Sequence, residues 1–95
     1  MKRSSILQDK RVCYICGTER GLETHHVFFG SANRKLSDQD GCVVYLCRNH
    51  HTGGAGVHFN KKIDNTIKER CQRAWMETYE LTEADFIRRY GRSYL

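Results

Sequence analysis

The chain contains no proline, one tryptophan and two methionines among its 95 residues. No low-complexity tract or internal repeat is visible, so no solenoid or proline-rich spacer is expected. No stretch approaches the roughly 20 consecutive apolar residues that a membrane-spanning helix needs. The start, Met1-Lys2-Arg3-Ser4-Ser5-Ile6-Leu7, is basic but no apolar run follows, so a secretory signal is not expected. The expected compartment is therefore the cytosol. There the five cysteines read better as metal ligands or buried thiols than as disulfides.

What is present is charge and histidine. Formal net charge is +5, and ten of the 16 basic residues are arginine. A small basic domain points to a polyanionic partner, most simply nucleic acid, and arginine suits bidentate contact with phosphate. The same excess also serves plain solubility. All five histidines lie between His25 and His58, and four of them form the adjacent pairs His25-His26 and His50-His51.

The length fits one α+β domain over residues 11–95, preceded by a loose polar lead-in over residues 1–10. So small a domain buries a modest core, and a bound metal is one way to staple it. Val12 to Gly17 reads as a turn pinned by two thiols, with Gly17 free to adopt a left-handed conformation. Leu22 to Phe29 reads as a first strand, Gly30 to Gly41 as a long polar loop, and Cys42 to Leu46 as a second strand. Arg48 to His51 opens a helical turn, kept short by Gly53-Gly54-Ala55-Gly56. From residue 61 to 95 the chain reads as helical. Ile63, Ile67, Cys71, Ala74, Trp75 and Tyr79 recur at spacings of three and four, with Asp64 or Asn65 as the N-cap. Thr82 and Asp85 form a capping box for a last short helix that ends at Gly91. The aromatic residues of this part are expected to be core.

Cys13 and Cys16 stand two residues apart, as do Cys47 and His50. Two such short pairs, distant in sequence, are what a structural zinc knuckle needs. Cys42 in place of His50 gives a rival four-cysteine set. Cys71 falls on the apolar helix face and reads as core. Four histidines remain: His25, His26, His51 and His58. Beside a closed structural site, spare imidazoles can build an open one that holds a second metal and does chemistry.

The run Thr24-His25-His26-Val27, followed by Leu46-Cys47-Arg48-Asn49-His50-His51, resembles the HNH nuclease family, whose site is a ββα-metal finger. The phrases His25-His26-Val27-Phe28-Phe29-Gly30 and His51-Thr52-Gly53-Gly54-Ala55-Gly56-Val57-His58 are similar to zinc-stapled small HNH proteins encoded by phages and prophages. The resemblance covers residues 13–58. It implies a metal-dependent DNA endonuclease of the bacterial cytoplasm, with His26 as general base and His25, His51 and His58 on the catalytic ion. That ion is Zn²⁺, Ni²⁺, Mn²⁺ or Mg²⁺. Phage DNA-processing or packaging proteins are implied as further partners.

The sequence leaves several positions open. Asn60 is a substitute for His58, and Glu23 for His25. The family's middle asparagine has no direct counterpart at Asp40-Gly41-Cys42, so Asn33 or a backbone group takes its place. Both His25 and His26 can face one site only if the strand bulges or ends there. Arg34, Lys35, Arg48, Lys61 and Lys62 are the candidate phosphate contacts. The competing function is a zinc-dependent nucleic-acid-binding module without catalysis, and a structural zinc protein is a third. The spare histidines favour the enzyme, because a binding module has no use for a second, open metal site.

Overall fold

The computed structural model describes residues 5–54 and 56–95. The first four residues of the lead-in, and Ala55 of the glycine loop, lie outside it. The chain is a small α+β fold. Strand β1 (Leu22–His26) is followed by helix α1 (Ser31–Asp40), strand β2 (Val43–Cys47) and a one-turn helix α2 (Arg48–His51). A 3-10 turn (Val57–Phe59), the long helix α3 (Lys61–Tyr79) and helix α4 (Glu83–Tyr90) complete it. No described helix is long and apolar enough to cross a membrane.

β1 and β2 form a two-stranded antiparallel sheet in which Leu22 pairs with Cys47 and His26 with Val43. The sheet and α2 together are compatible with a ββα arrangement. β1 is shorter than the expected Leu22–Phe29. It ends at His26, after which Val27 and Phe28 turn into the core at 0% and 1% exposure. The last link to β2 is the bond from the Val27 amide to the Cys42 carbonyl, 2.9 Å.

The largest departure from the sequence reading is α1, which occupies the stretch Gly30–Gly41 expected to be a polar loop. Its sequence, Ser-Ala-Asn-Arg-Lys-Leu-Ser-Asp-Gln-Asp, has no apolar stripe, so periodicity could not find it. Polar tertiary bonds hold it instead. The buried Ser37 hydroxyl donates to the Phe28 carbonyl (2.7 Å) and accepts from the Phe28 amide (3.3 Å). Gly41 closes the helix in the left-handed conformation, φ 78°.

Asp40, at the end of α1, ties that helix to the C-terminal pair. Its carboxylate accepts from Trp75 Nε1 (2.9 Å), the Tyr90 hydroxyl (2.7 Å) and both Nε and Nη2 of Arg89 (2.6 and 2.8 Å). Beside this hub the aromatic core closes. Phe28 lies 5.1 Å from Phe86 and 4.8 Å from Tyr90, and Trp75 lies 5.3 Å from Phe86, between ring centroids. These residues are core, as expected, and so is Cys71.

α3 starts one turn earlier than Asp64 or Asn65 would set it. Asn60 is the N-cap, its side chain accepting from the Ile63 amide. The Thr82–Asp85 capping box of α4 forms in both directions, and Gly91 ends that helix with φ 96°. Residues 5–8 are not loose. Ser5 donates to the Val43 carbonyl, the Ile6 amide to the Gly41 carbonyl, and the Tyr45 amide donates to Gln8 Oε1. The lead-in thereby covers the edge of β2 that β1 leaves open.

Candidate metal centres

Two clusters of metal-ligand side chains flank α2. In the first, Cys13, Cys16, Cys47 and His50 bring their donor atoms within 4.8 Å of one another. Cys16 Sγ is 3.8 Å from Cys47 Sγ, and His50 Nδ1 is 3.2 Å from Cys47 Sγ and 3.9 Å from Cys13 Sγ. Local turns supply the pairs. Gly17, at φ 79°, lets the Cys13–Cys16 turn close, and its amide bonds the Cys13 carbonyl at 2.8 Å. Cys47 ends β2 and is the residue before α2, so His50 comes back beside it after one helical turn.

This group can hold a metal ion. Burial raises the Cys13 thiol, but hydrogen bonds to the backbone of Cys16, Cys47 and Ile15 outweigh it and lower it to about 6. A ready thiolate is the form that binds metal. The backbone bond at Thr18 lowers Cys16. Desolvation and the neighbouring thiols Cys13 and Cys47 overcome it, so its net shift is upward.

Cys42 lies elsewhere. It is fully buried in the core and accepts from the Tyr90 hydroxyl at 3.6 Å, and it is not in the four-residue cluster.

The second cluster is His25, His51 and His58. Ring centroids are 5.1 Å apart for His25–His51, 5.6 Å for His25–His58 and 5.0 Å for His51–His58. Each comes from a different element: β1, α2 and the 3-10 turn. The glycine loop makes this possible by close approach. A Cβ on Gly56 would sit 2.5 Å from the His51 carbonyl oxygen, so only glycine lets the chain fold back on α2 and return His58 to the cluster.

His25 is 2% exposed, and its Nε2 is the one buried side-chain polar atom without a hydrogen-bond partner among the described residues. Burial, reinforced by His51 and His58, lowers its pKa to about 3. His25 is thus held neutral with an unused ring nitrogen, the form that ligates a metal. His51 is oriented from behind, with its Nδ1 2.8 Å from Glu23 Oε1. A carboxylate there fixes the tautomer that leaves Nε2 free as a ligand. Glu23 therefore sits behind His51 and is not in the cluster as a replacement for His25. Asn60, the other substitute, is occupied in capping α3.

A cavity of about 230 Å³ opens at this cluster, lined by Thr24, His25, His26, Phe29, Arg34, His51 and His58. His26 lines it together with His25, although both are paired in register with β2. His26 Nε2 lies 2.8 Å from Asp38 Oδ1, on α1. With Nε2 engaged by a carboxylate, Nδ1 is the nitrogen left to accept a proton. Gly30 is the N-cap of α1 and gives it no side-chain cap, and its first turn has no acidic residue, a polarity suited to an anion nearby.

Of the five basic residues singled out from sequence, Arg34 lines this cavity. Arg48 lines a separate depression with Asn49 and Thr52, Lys62 another with Tyr14 and Arg70, and Lys35 and Lys61 are exposed on their helices. Asn33 donates to the Tyr90 carbonyl and does not meet His26. Sequence reasoning missed Asp38 because it placed the residue in a loop. The signal available was Gly41, a helix-ending glycine directly after the polar stretch. Compared with protein-family models, with curated proteins and with solved structures, the chain matches none.

Proposed function

We propose that this protein is a metal-dependent endonuclease of the HNH type that hydrolyses phosphodiester bonds in DNA within the bacterial cytoplasm. One observation carries the reading. A histidine with a carboxylate on one ring nitrogen, His26 with Asp38, lines the same cavity as three clustered histidines, one of which has a buried nitrogen with no partner.

The two clusters divide the work. In the cysteine-rich group the donors suit zinc. A tetrahedron with Zn–S bonds of about 2.3 Å has edges of about 3.8 Å, and the Cys16–Cys47 sulfur separation is 3.8 Å. Such a site contributes about 10–16 kcal/mol in small peptides, enough to staple a domain of this size. His25, His51 and His58 would hold a second divalent ion, and three imidazoles favour zinc, nickel or a similar ion over magnesium. When bound, that ion supplies Lewis-acid stabilisation to the phosphate and the leaving oxygen.

The chain's own groups do the rest. His26 Nδ1 takes a proton from the attacking water, and Asp38 holds the ring and stabilises the imidazolium that results. Arg34 engages a phosphate oxygen at the cavity wall. Glu23 keeps His51 in its ligating tautomer.

The test is supercoiled plasmid incubated with zinc-loaded protein and added Mg²⁺, Mn²⁺, Ni²⁺ or Zn²⁺ in turn. Nicked or linear product with at least one ion, abolished by chelator, supports the reading. Binding without cutting under every ion replaces it with a zinc-dependent nucleic-acid-binding module.

A further inference from the structure

Phe29 stands out among its neighbours. Val27 and Phe28 are 0% and 1% exposed, whereas Phe29, the next residue, is 47% exposed. It is not a stray apolar residue on open surface, because its side chain lines the histidine cavity. Ring centroids place it 6.2 Å from His25 and 6.1 Å from His58. The Lys68 ammonium sits 4.3 Å from its centroid and also pairs with Asp64 at 2.9 Å. Arg34 lines the same cavity. An exposed aromatic ring at the mouth of a candidate phosphate-cleaving site, with Arg34 in the same cavity wall, has the composition that holds single-stranded nucleic acid: a π-face for a base and positive charge for the adjoining backbone. In a duplex the base faces are stacked inside, beyond the reach of a side chain at the level of the phosphate. A ring in this place stacks on an unpaired base or on a base step that has been opened.

We propose that Phe29 is a stacking platform for an unpaired nucleobase of single-stranded DNA, setting the adjoining phosphate at the histidine cavity. The preferred substrate is then a single-stranded or locally opened stretch rather than intact duplex. This rests on the nuclease reading for what happens to that phosphate, but its test reads binding alone.

The experiment uses full-length, zinc-loaded protein carrying His26→Ala, so that no strand is cut. Affinity is measured by fluorescence anisotropy for three labelled probes of equal length: a mixed-sequence single strand, an abasic deoxyribose-phosphate strand, and a duplex. Adding Phe29→Ala is expected to weaken the single strand about tenfold, from the loss of one base–aromatic stack, and to leave the abasic strand and the duplex unchanged. Phe29→Trp should restore single-strand affinity. An equal loss on all three probes, no loss on any, or preference of the parent protein for duplex overturns the proposal. The two readings fail separately. Plasmid and single-stranded DNA both left uncut by the unmutated protein under every ion remove the nuclease, whereas an indifferent Phe29→Ala removes the platform.

Discussion

His26 Nε2 lies 2.8 Å from Asp38 Oδ1, a bond that joins the last residue of β1 to the third turn of α1. In the proposed mechanism it leaves His26 Nδ1 as the proton acceptor and makes Asp38 a positioning residue. Asp38→Ala is expected to reduce plasmid cleavage at least tenfold, a share of the roughly 10²–10⁴ that a general base contributes. Zinc content and circular dichroism should match the unmutated protein, because α1 is held by Ser37 and Asp40. Asp38→Glu should recover part of the rate. Unaltered cleavage by Asp38→Ala would remove Asp38 from the mechanism.

The cysteine-rich cluster yields a prediction about stability. Cys47→Ser should lose the tightly bound zinc, counted by elemental analysis, and leave a chain that unfolds or aggregates. Cys42→Ser should keep the metal, since Cys42 is in the core against Tyr90. Loss of zinc from Cys42→Ser, with His50→Ala keeping it, would mean that the four-cysteine set is the true one.

Behind the second cluster, Glu23→Gln should weaken affinity for the second ion by about 10–100-fold while sparing the knuckle zinc. Competition against a chelating dye reads this directly, and equal affinity in the two proteins would show that Glu23 does not orient His51.

Buried His25 sets an acid limit. Its pKa falls from 6.5 to about 3 on folding, so between those values the unfolded chain binds the extra proton. Its contribution is therefore complete above pH 6.5 and is lost as pH falls toward 3, at about 1.4 kcal/mol per pH unit within that window. Urea midpoints of zinc-loaded protein at pH 7 and pH 5 should drop more for the parent than for His25→Gln, which has no proton to gain. Parallel drops would contradict the burial of a neutral imidazole.

Much of the site was legible because short ligand spacings survive any uncertainty about the fold. Cys-x-x-Cys and Cys-x-x-His state which atoms meet, and the structure gathers those four side chains. His25, His51 and His58 are also gathered, though their elements are separated by loops. α3 and α4 were readable from an apolar stripe and a capping box. α1 was not, because its stability comes from Ser37 and Asp40 bonding to distant partners, and sequence periodicity carries no trace of such contacts. The same blindness hid Asp38. From sequence Glu23 looks like a substitute ligand, because strand alternation gives only the face of a residue, not whether it touches a metal or the histidine in front of it.

The central claim is the division of labour between His26 and the three clustered histidines, and one comparison tests it most directly. Cleavage of supercoiled plasmid is measured for His26→Ala and His51→Ala over a rising series of the activating metal, with knuckle zinc confirmed in both. The account predicts that His51→Ala regains part of its activity as metal rises, since it lacks only a ligand, while His26→Ala stays inactive at every concentration. Wild-type cleavage by His26→Ala, or its rescue by added metal, would contradict the assignment of His26 as the base.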